Sequence, residues 1–367
     1  MTRWLVALII LVCPSAFAQD APPEIAFESV PNLLKLPADI HLGEAAGVAV
    51  NSKGNILVYS RGGSSTGPAF GNTASQILEF NKDGTLIREV GKNLYAWAYA
   101  HTVRVDKDDN IWATDKGSDM VVKMNPEGRV LMVFGRRTEA SDREAHPWER
   151  NLNPPLPHID GRFRQPSDVA WDRAGNAYIS DGYVNSRVAK ISKDGDWIKS
   201  WGKKGKGDGE FDLLHTIAVD MNDNVYVGDR NNRRIQVFDS EGNFKRKFSI
   251  DVPPPPDAKP AIGNMPSLTD YLNTGGSQTP GAPWAICIPP GNSQVMYVSD
   301  SFPGRIYKVS LDGKVLGWLG KSGKQLGQLG WVHQMACPTE NEIYAAEVLN
   351  WRVQKLLLKP GQQRAAR

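Results

Sequence analysis

Apolar and polar residues alternate along most of this chain in short runs, and the same pattern of runs recurs in order. Six segments each contain an alternating apolar run, a polar turn of Asp, Gly or Asn, and a second alternating run. They span residues 48–60, 103–115, 169–181, 217–229, 286–300 and 335–347. Alternation with a period of two residues around a short polar turn predicts a β-hairpin in each segment.

A third alternating run follows each hairpin, and a fourth follows in most units. The third runs are QILEFN, VVKMN, RVAKIS, RIQVFD, RIYKVS and RVQKLL. Repeated units of three to four antiparallel strands predict an all-β fold, a six-bladed β-propeller spanning residues 41–358. The last unit lacks an obvious fourth strand. We expect EIAFESV, within the N-terminal segment 19–40, to supply it and to close the ring.

Three further regions lie outside the repeat. Residues 136–163 and 251–283 are rich in proline and polar residues, so they are predicted to be loop insertions rather than domains. Residues 359–367 are predicted to form a flexible tail. Residues 1–18 carry Arg3, a short apolar core and a small-residue cleavage site at Ala18, which is typical of a signal peptide. The apolar core is too short for a comfortable membrane span. We therefore expect export, to the periplasm or the medium.

Cysteine usage bears on whether a disulfide forms, and charge bears on the class of binding partner. Cys13 would leave with the signal peptide, and Cys287 and Cys337 lie one residue out of register in neighbouring blades. A disulfide and two buried thiols are therefore both open. The chain has 43 Lys and Arg against 40 Asp and Glu, with no basic run that indicates nucleic-acid binding. We expect a monomer with a small-molecule or peptide substrate and no nucleic-acid or membrane partner.

Histidine occupies one position of the repeat in alternate units. Counting back fourteen residues from the residue that ends the second strand, or sixteen in the fifth unit, reaches Ala46, His101, Ser167, His215, Trp284 and His333. The inner strand of every propeller blade runs along the central channel, so equivalent positions on alternate blades are about 120° apart around its axis. His101, His215 and His333 are therefore predicted to converge.

Three converging imidazoles indicate a metal site. Neutral imidazole is a preferred ligand of zinc, and three protein ligands leave a position open, as in catalytic zinc centres. The alternative is that a channel-lining position simply tolerates histidine. His41, His146 and His158 lie in the N-terminal region or in loops, and we expect them at the surface.

Several segments resemble known families. SDGYVNSRV and DRNNRRIQVF resemble NHL-repeat propellers. GKNLYAWAYAHTVRVDKDDNIWATD, FDLLHTIAVDMNDNVYVGDRNNRRIQVF and LGWVHQM resemble the three zinc-histidine segments of the peptidyl-α-hydroxyglycine α-amidating lyases (peptidylamidoglycolate lyases). QPSDVAWDRAGNAYISDGYVNSRV resembles the tyrosine segment of that family, and VYSRGG its first-blade arginine segment. The resemblance covers most of the mature chain in order.

The resemblance implies a reaction and a set of roles. That family cleaves peptidyl-α-hydroxyglycine to a peptide amide and glyoxylate. By resemblance, His101, His215 and His333 would hold zinc and Tyr183 would be the catalytic base. Arg61 and Arg230 each directly follow a second strand, on the face of Tyr183, and would bind the substrate carboxylate. Surface or interblade salt bridges are the alternative for both. Arg187, Arg234, Arg305 and Arg352 recur at the start of third strands, so they are predicted to be structural.

Two departures from that family bear on substrate and cofactor. Trp331 stands where the family has methionine, so we expect it to fill part of the substrate pocket. Gln334 stands where the family has an acid that contributes to a structural calcium, so calcium stays possible but weakened. Two other functions remain open: a metal-dependent ester or lactone hydrolase at the same site, and a non-catalytic NHL propeller that binds a protein or glycan.

Overall fold

The structure, a computed structural model, describes residues 21–62, 75–137, 153–155, 157–260, 278–293 and 295–363. The predicted signal peptide and most of the two predicted insertions lie outside these residues. The described residues form strands and turns and contain no helix. They therefore contain no helix that could cross a membrane. The predicted all-β class is confirmed.

Six antiparallel sheets of four strands form the blades, numbered here from the one that follows the N-terminal strand. Blade 1 contains β2 Glu44–Val50, β3 Ile56–Arg61, β4 Ser75–Phe80 and β5 Leu86–Val90. Blade 2 contains β6 Ala100–Val105, β7 Ile111–Asp115, β8 Met120–Met124 and β9 Val130–Gly135. Blade 3 contains β10 Asp168–Trp171, β11 Ala177–Asp181, β12 Arg187–Ile191 and β13 Trp197–Trp201.

The second half of the ring follows the same order. Blade 4 contains β16 Leu214–Val219, β17 Val225–Asp229, β18 Arg234–Phe238 and β19 Phe244–Phe248, after a short parallel pair, β14 Lys203–Lys204 and β15 Glu210–Phe211. Blade 5 contains β20 Ala285–Cys287, β21 Val295–Ser299, β22 Ile306–Ser310 and β23 Val315–Leu319. Blade 6 contains β24 Val332–Thr339, β25 Glu342–Glu347, β26 Arg352–Gln363 and β1 Ile25–Ser29.

The N-terminal strand closes the ring. β1 pairs antiparallel with β26, with Phe27 opposite Leu358 and Ser29 opposite Leu356. The first and last parts of the chain therefore share one sheet, which is the position that the sequence analysis assigned to EIAFESV. β26 continues to Gln363, so regular structure extends into residues 359–363 of the predicted tail. The inner strands β2 and β24 also pack together, so blades 1 and 6 meet along the channel.

In blades 2 to 6, an acid at or directly after the end of the second strand holds the loop that enters the blade. The side chains of these acids are almost fully buried, and each accepts a backbone N–H from the loop before its own inner strand. The acceptor–donor pairs are Asp115–Tyr99, Asp181–Arg164, Asp229–Asp212, Asp300–Gly281 and Glu347–Gly330. Because these loops lead directly into the strands that carry the histidine register, the acids position one end of the channel.

Three of the four recurring third-strand arginines have the predicted structural role, and the fourth, Arg305, donates from Nη1 to the carbonyl oxygen of Pro253 at 2.9 Å. Arg187 donates from Nε to Asp181 at 3.1 Å and from Nη2 to the carbonyl oxygens of Ile159 and Arg162 at 2.9 and 2.6 Å. Arg234 and Arg352 make the corresponding bonds to Asp229 and Glu347 at 2.8 Å each. Each of these three guanidinium groups therefore joins the strand-ending acid to the incoming loop.

A disulfide links the inner strands of blades 5 and 6. Cys287 in β20 and Cys337 in β24 are bonded, with their Cα atoms 6.0 Å apart, and both are buried. Of the two options left open by the sequence, the structure selects the bonded pair. Neighbouring inner strands lie close enough for a one-residue offset to be spanned.

Removing this disulfide should destabilise the fold. The bond closes a loop between residues 50 positions apart, and cross-linking a loop of this length stabilises a protein by about 2–4 kcal/mol. We expect a Cys287→Ala/Cys337→Ala variant to lose that amount of unfolding free energy in chemical denaturation. Wild-type protein kept reduced should show a similar loss. An unchanged denaturation midpoint in both samples would contradict the prediction.

Candidate metal centre

The three register histidines meet at one end of the channel. Each is the second residue of its inner strand, in β6, β16 and β24. Their ring centroids are 4.9 Å apart for His101 and His215, 4.5 Å for His101 and His333, and 4.7 Å for His215 and His333. This nearly equilateral triangle confirms the predicted convergence. One nitrogen of each ring lies within 4.8 Å of the others, so the three buried histidines could hold a metal ion.

A β-bulge directs each histidine toward the axis. In blade 2, Ala100 pairs with Asp115 and Thr102 pairs with Thr114, which leaves His101 as the extra residue. The same shift surrounds His215 in blade 4 and His333 in blade 6. A bulged residue leaves the regular alternation of faces, so its side chain can be re-aimed. The repeat therefore supplies the bulge that the site uses.

The odd-numbered blades fix the rings through their backbone. His101 Nδ1 lies 2.5 Å from the carbonyl oxygen of Ser167, His215 Nδ1 lies 2.6 Å from that of Trp284, and His333 Nδ1 lies 2.8 Å from that of Ala46. A carbonyl oxygen only accepts, so each Nδ1 carries the proton and donates it. The lone pair of every ring is therefore on Nε2. Hydrogen bonds of this kind orient metal-binding histidines and raise their basicity as ligands.

Burial keeps these imidazoles neutral. The exposed fractions of His101, His215 and His333 are 0%, 1% and 4%. Desolvation lowers the pKa of each well below its usual value, and nearby positive charges lower it further. For His215, the Nε2 atom is buried and has no hydrogen-bond partner. Neutral rings with an unsatisfied buried acceptor fit a cation, since a metal needs deprotonated imidazole.

The predicted tyrosine contacts this centre. Tyr183 lies in the turn after β11, and its hydroxyl oxygen is 3.1 Å from His101 Nε2. Its ring centroid is 5.4 Å from that of His101 and 5.9 Å from that of His215. Gly182 permits this approach, because a Cβ atom there would lie 1.8 Å from the carbonyl oxygen of Leu214. The turn therefore packs against the start of the strand that carries His215.

Both predicted arginines lie beside the centre, in different environments. Arg61 donates from Nε to the carbonyl oxygen of Ala100 at 2.9 Å and from Nη1 to Glu44 at 2.6 Å. Arg230 is buried, with its guanidinium carbon 4.4 Å from the ring centroid of Trp284 and 5.8 Å from that of Tyr183. Arg61 therefore has a carboxylate partner, Glu44, in its own blade, whereas Arg230 lies between the rings of Tyr183 and Trp284.

Trp331 forms part of an aromatic wall with a residue whose role the sequence analysis missed. Its ring centroid is 5.3 Å from that of Trp284, which lies 5.3 Å from His215 and 6.1 Å from His333. Trp284 occupies the histidine register in blade 5, so its place in the repeat could be read from the sequence. The hydrogen bond that its carbonyl oxygen accepts from His215 could not. The two tryptophans place a large apolar surface next to the imidazoles.

Lys116 is a second residue that sequence reasoning missed. Its Nζ atom is 3.6 Å from the ring centroid of Tyr183. A signal existed, because Lys116 directly follows Asp115 just as Arg230 directly follows Asp229. His41 and His158 are exposed, as predicted, and His146 lies outside the described residues.

Calcium does not fit at Gln334. Its Oε1 atom accepts the backbone N–H groups of Val48 and Val103, each at 3.0 Å, and its Nε2 atom donates to the carbonyl oxygen of Val103 at 2.7 Å. Calcium needs six to eight oxygen ligands, several of them usually carboxylates. Within the described part of the chain, the histidine trio is the one metal-capable group of His, Cys, Asp or Glu residues. Gln334 therefore supplies neither a carboxylate nor an uncommitted amide oxygen to the calcium that the resemblance left possible.

A polar layer occupies the channel one residue beyond the histidines. Arg104 donates from Nε and Nη2 to Asp168 at 2.9 and 2.6 Å, and Asp168 also accepts from Thr216 Oγ1 and the Ile217 N–H at 3.0 and 3.2 Å. These bonds join blades 2, 3 and 4, while Gln334 joins blades 6, 1 and 2. Side-chain hydrogen bonds therefore link the inner strands of different blades directly.

Comparisons with known proteins agree with this architecture. The family model for the NHL repeat matches residues 211–238. Mouse "Peptidyl-glycine alpha-amidating monooxygenase" is 31% identical over 223 residues, which are 54% of this chain and 21% of that protein. Drosophila melanogaster "Peptidyl-alpha-hydroxyglycine alpha-amidating lyase 1" is 23% identical over 345 residues, 87% of this chain and 58% of that protein. The chain thus spans less than two thirds of either relative.

Solved structures support the fold alone. The "Streptogramin B lyase structure" superimposes with a TM-score of 0.54 over 91% of this chain and 98% of that one, at 12% identity. Identity this low supports the propeller architecture and no particular chemistry. The protein is therefore a six-bladed β-propeller with an NHL repeat, and it resembles, at modest identity, proteins named peptidyl-α-hydroxyglycine α-amidating lyases.

Proposed function

We propose that the protein is an exported, zinc-dependent lyase that cleaves a peptidyl-α-hydroxyglycine or a related carbinolamide to an amide and glyoxylate. The observation that carries this proposal is the convergence of three neutral imidazoles with the Tyr183 hydroxyl, 3.1 Å from His101 Nε2. The names of the relatives support the same reaction class.

The histidines would hold the metal through their Nε2 atoms. Three imidazole ligands with an open fourth position are typical of catalytic zinc, which, when bound, supplies Lewis acidity toward a substrate oxygen. The backbone carbonyl oxygens of Ser167, Trp284 and Ala46 keep the rings in the required tautomer before any metal arrives. The site is thus preorganised by the protein.

Tyr183 is the residue that we propose moves the proton in this reaction. Cleavage removes the α-hydroxyl proton, converts that C–O bond into the carbonyl of glyoxylate, and breaks the C–N bond. The electron pair of the C–N bond and a proton end on the amide nitrogen, so no oxidant is needed. Tyr183 would take the hydroxyl proton and return one to nitrogen. Lys116 Nζ and Arg230 Cζ lie 3.6 and 5.8 Å from the centroid of its ring.

The carboxylate of the hydroxyglycine requires a cation on the same face. Arg230 and Arg61 are the proposed partners, since guanidinium binds carboxylate with two parallel hydrogen bonds. The ion pair with Glu44 fixes the orientation of Arg61. Arg230, buried beside Trp284, would bind in a setting where water competes less.

Export has an independent line of support. The Cys287–Cys337 disulfide is typical of proteins that fold in oxidising compartments. Together with the N-terminal signal pattern, it favours the periplasm or the medium as the location of the enzyme.

A second candidate function is hydrolysis of an ester or lactone at the same metal. The Trp284–Trp331 wall favours it, because this wall offers a bulky apolar group more contact than a glycine unit needs. In that case, a metal held by the three histidines would supply Lewis acidity to an ester or lactone carbonyl rather than to a carbinolamide.

Replacing Tyr183 with phenylalanine should abolish most of the lyase activity while leaving the metal in place. A general base contributes about 10²–10⁴-fold to rate, so we expect a loss in kcat of that size. The assay is glyoxylate release from α-hydroxyhippurate, with zinc content measured on the same sample. Tyr95→Phe is the matched control, because Tyr95 is 61% exposed and its ring centroid lies 5.2 Å from the guanidinium carbon of Arg137.

Two outcomes would count against the lyase. The first is wild-type glyoxylate release by Tyr183→Phe. The second is no glyoxylate from zinc-loaded wild-type protein with several α-hydroxyglycine substrates. If the second result came together with ester or lactone hydrolysis that depends on His101, the hydrolase would replace the lyase.

A further inference from the structure

Trp284 differs from the other residues that alternate with the histidines around the channel. In the odd-numbered blades the histidine register is occupied by Ala46, Ser167 and Trp284, with exposed fractions of 0%, 0% and 6%. The first two are small, whereas the ring centroid of Trp284 lies 5.3 Å from that of His215 and 6.1 Å from that of His333. The repeat accepts a small residue between two histidines, and blade 5 places a large aromatic ring there instead.

The backbone conformation of Trp331 does not favour its side chain. Its φ is 55°, in the left-handed region, where a bulky residue is strained and glycine is not. The equivalent residues of blades 3 and 4, Gln165 and Leu213, have φ values of 58° and 65°. The repeat therefore sets this conformation but does not explain an indole in blade 6. A bulky residue kept there points to a role in binding, because strained residues cluster at ligand-binding sites.

Hydrogen bonds fix the loop that carries Trp331. The Gly330 N–H donates to the buried carboxylate of Glu347 at 2.6 Å. The Leu349 N–H donates to the carbonyl oxygen of Gly330 at 3.1 Å, and the Val348 N–H donates to that of Trp331 at 3.2 Å. The loop therefore presents the indole in a fixed position, which lowers the entropy cost of binding a ligand against it.

The acyl side of the proposed substrate is the part without an assigned binding residue. Tyr183 is assigned to the proton, the three histidines to the metal, and Arg61 and Arg230 to the carboxylate of the hydroxyglycine. Trp331 is partly exposed, and its ring centroid is 5.3 Å from that of Trp284. Because the Trp284 ring is next to the imidazoles, a group attached close to the scissile nitrogen can reach the Trp284–Trp331 wall.

We propose that Trp331 is a specificity-determining residue that, together with Trp284, binds an aromatic ring on the acyl side of the hydroxyglycine. This inference rests on the proposed function for the identity of the scissile unit. The substrate class is then an N-acyl-α-hydroxyglycine with an aromatic ring near the scissile bond, such as a peptide whose penultimate residue is aromatic. Two indoles favour such a ring over a saturated one, because aromatic rings pair in offset or edge-to-face arrangements.

A pair of matched substrates tests the inference. N-Phenylacetyl-α-hydroxyglycine and N-cyclohexylacetyl-α-hydroxyglycine differ in whether the ring is aromatic and share the methylene group next to the carbonyl. We expect wild-type kcat/KM to be about three- to tenfold higher for the phenyl compound, mainly through KM, since aromatic pairing adds to apolar burial. A surface that is apolar but not aromatic would prefer the cyclohexyl compound, which has the larger apolar area. Trp331→Leu should therefore remove or reverse the preference.

Two further variants control for the loop and for the loss of a tryptophan. Trp331→Phe keeps an aromatic ring and should retain most of the preference. Trp351 is also a tryptophan with a left-handed backbone, at a φ of 50°, but it is 59% exposed in the turn between β25 and β26. Trp351→Leu should keep the wild-type preference, and thermal unfolding checks that every variant is folded. The same ratio of the two kcat/KM values in Trp331→Leu and in the wild type would overturn the inference.

A binding measurement separates this inference from the reaction itself. N-Phenylacetylglycine and N-cyclohexylacetylglycine lack the hydroxyl and cannot undergo the cleavage, so calorimetry reports their affinity without turnover. Tighter binding of the phenyl compound by the zinc-loaded wild type, lost in Trp331→Leu, supports the inference even if no glyoxylate is ever released. Equal affinity of the wild type for both compounds, or no binding of either, overturns it even if the lyase reaction is observed.

Discussion

His101→Ala and His215→Ala are each expected to lose the bound metal and to lower kcat/KM by roughly a thousandfold or more. Either change leaves two imidazoles at a centre where His101 and His215 are 0% and 1% exposed, and water cannot readily replace the lost ring. Stoichiometric zinc in the purified wild type, measured by elemental analysis, is the expected starting point. Both variants should then bind less than one tenth of that amount.

His158→Ala is the matched control for these variants. His158 is exposed, and its Nε2 atom lies 2.6 Å from the carbonyl oxygen of Asn185, away from the trio. This variant should keep full metal content and activity. Stoichiometric metal in both His101→Ala and His215→Ala would contradict the site. Folded wild-type protein that binds no divalent metal would do the same and would favour a non-catalytic propeller.

Asp168→Ala is expected to lower the free energy of unfolding by about 3–5 kcal/mol, the usual cost of removing one partner of a buried ion pair. Asp168 is fully buried and accepts from Arg104, Thr216 and the Ile217 N–H. Alanine would leave the Arg104 guanidinium without its carboxylate inside the channel. It would also remove bonds that join three inner strands. Chemical denaturation of the purified variant measures the loss.

A double variant and a surface variant test whether the stability loss in Asp168→Ala comes from the buried ion pair. Arg104→Met/Asp168→Leu should recover part of the stability, because apolar residues of similar volume often replace a buried ion pair without net cost. Asp194→Ala, which breaks an exposed pair with Lys193, should change stability by no more than about 1 kcal/mol. A loss below about 1 kcal/mol for Asp168→Ala would show that the polar layer does not hold the channel.

Much of the architecture was readable from local pattern. Alternation, polar turns and a constant spacing identified six units, and the missing strand of the last unit pointed to residues 24–30. These features depend on residues close together in sequence, since hairpin register is set by the turn and by which face is apolar. The convergence of His101, His215 and His333 followed from the same spacing, because rotational symmetry converts a repeat position into a place on the axis.

The environment of the site was not readable in this way. The bulge at each histidine, the carbonyl of Ser167 that holds His101, and the ring of Tyr183 under Lys116 join residues from different blades. Lys116 was missed although its register matched that of Arg230. The ion pair of Arg61 with Glu44 likewise appeared only once β2 and β3 were paired.

The sequence by itself determined the number of blades, the alternation of histidines and their meeting on one axis, because each depends on a periodic pattern. Only the tertiary structure decided that Cys287 and Cys337 are bonded and that Gln334 is engaged by backbone groups of two other blades. It also decided that Lys116 and Arg230 lie beside the ring of Tyr183 and that Arg61 lies beside the ring of Tyr99. Such contacts depend on the ångström-scale separation of neighbouring inner strands, which packing sets and spacing along the chain does not record.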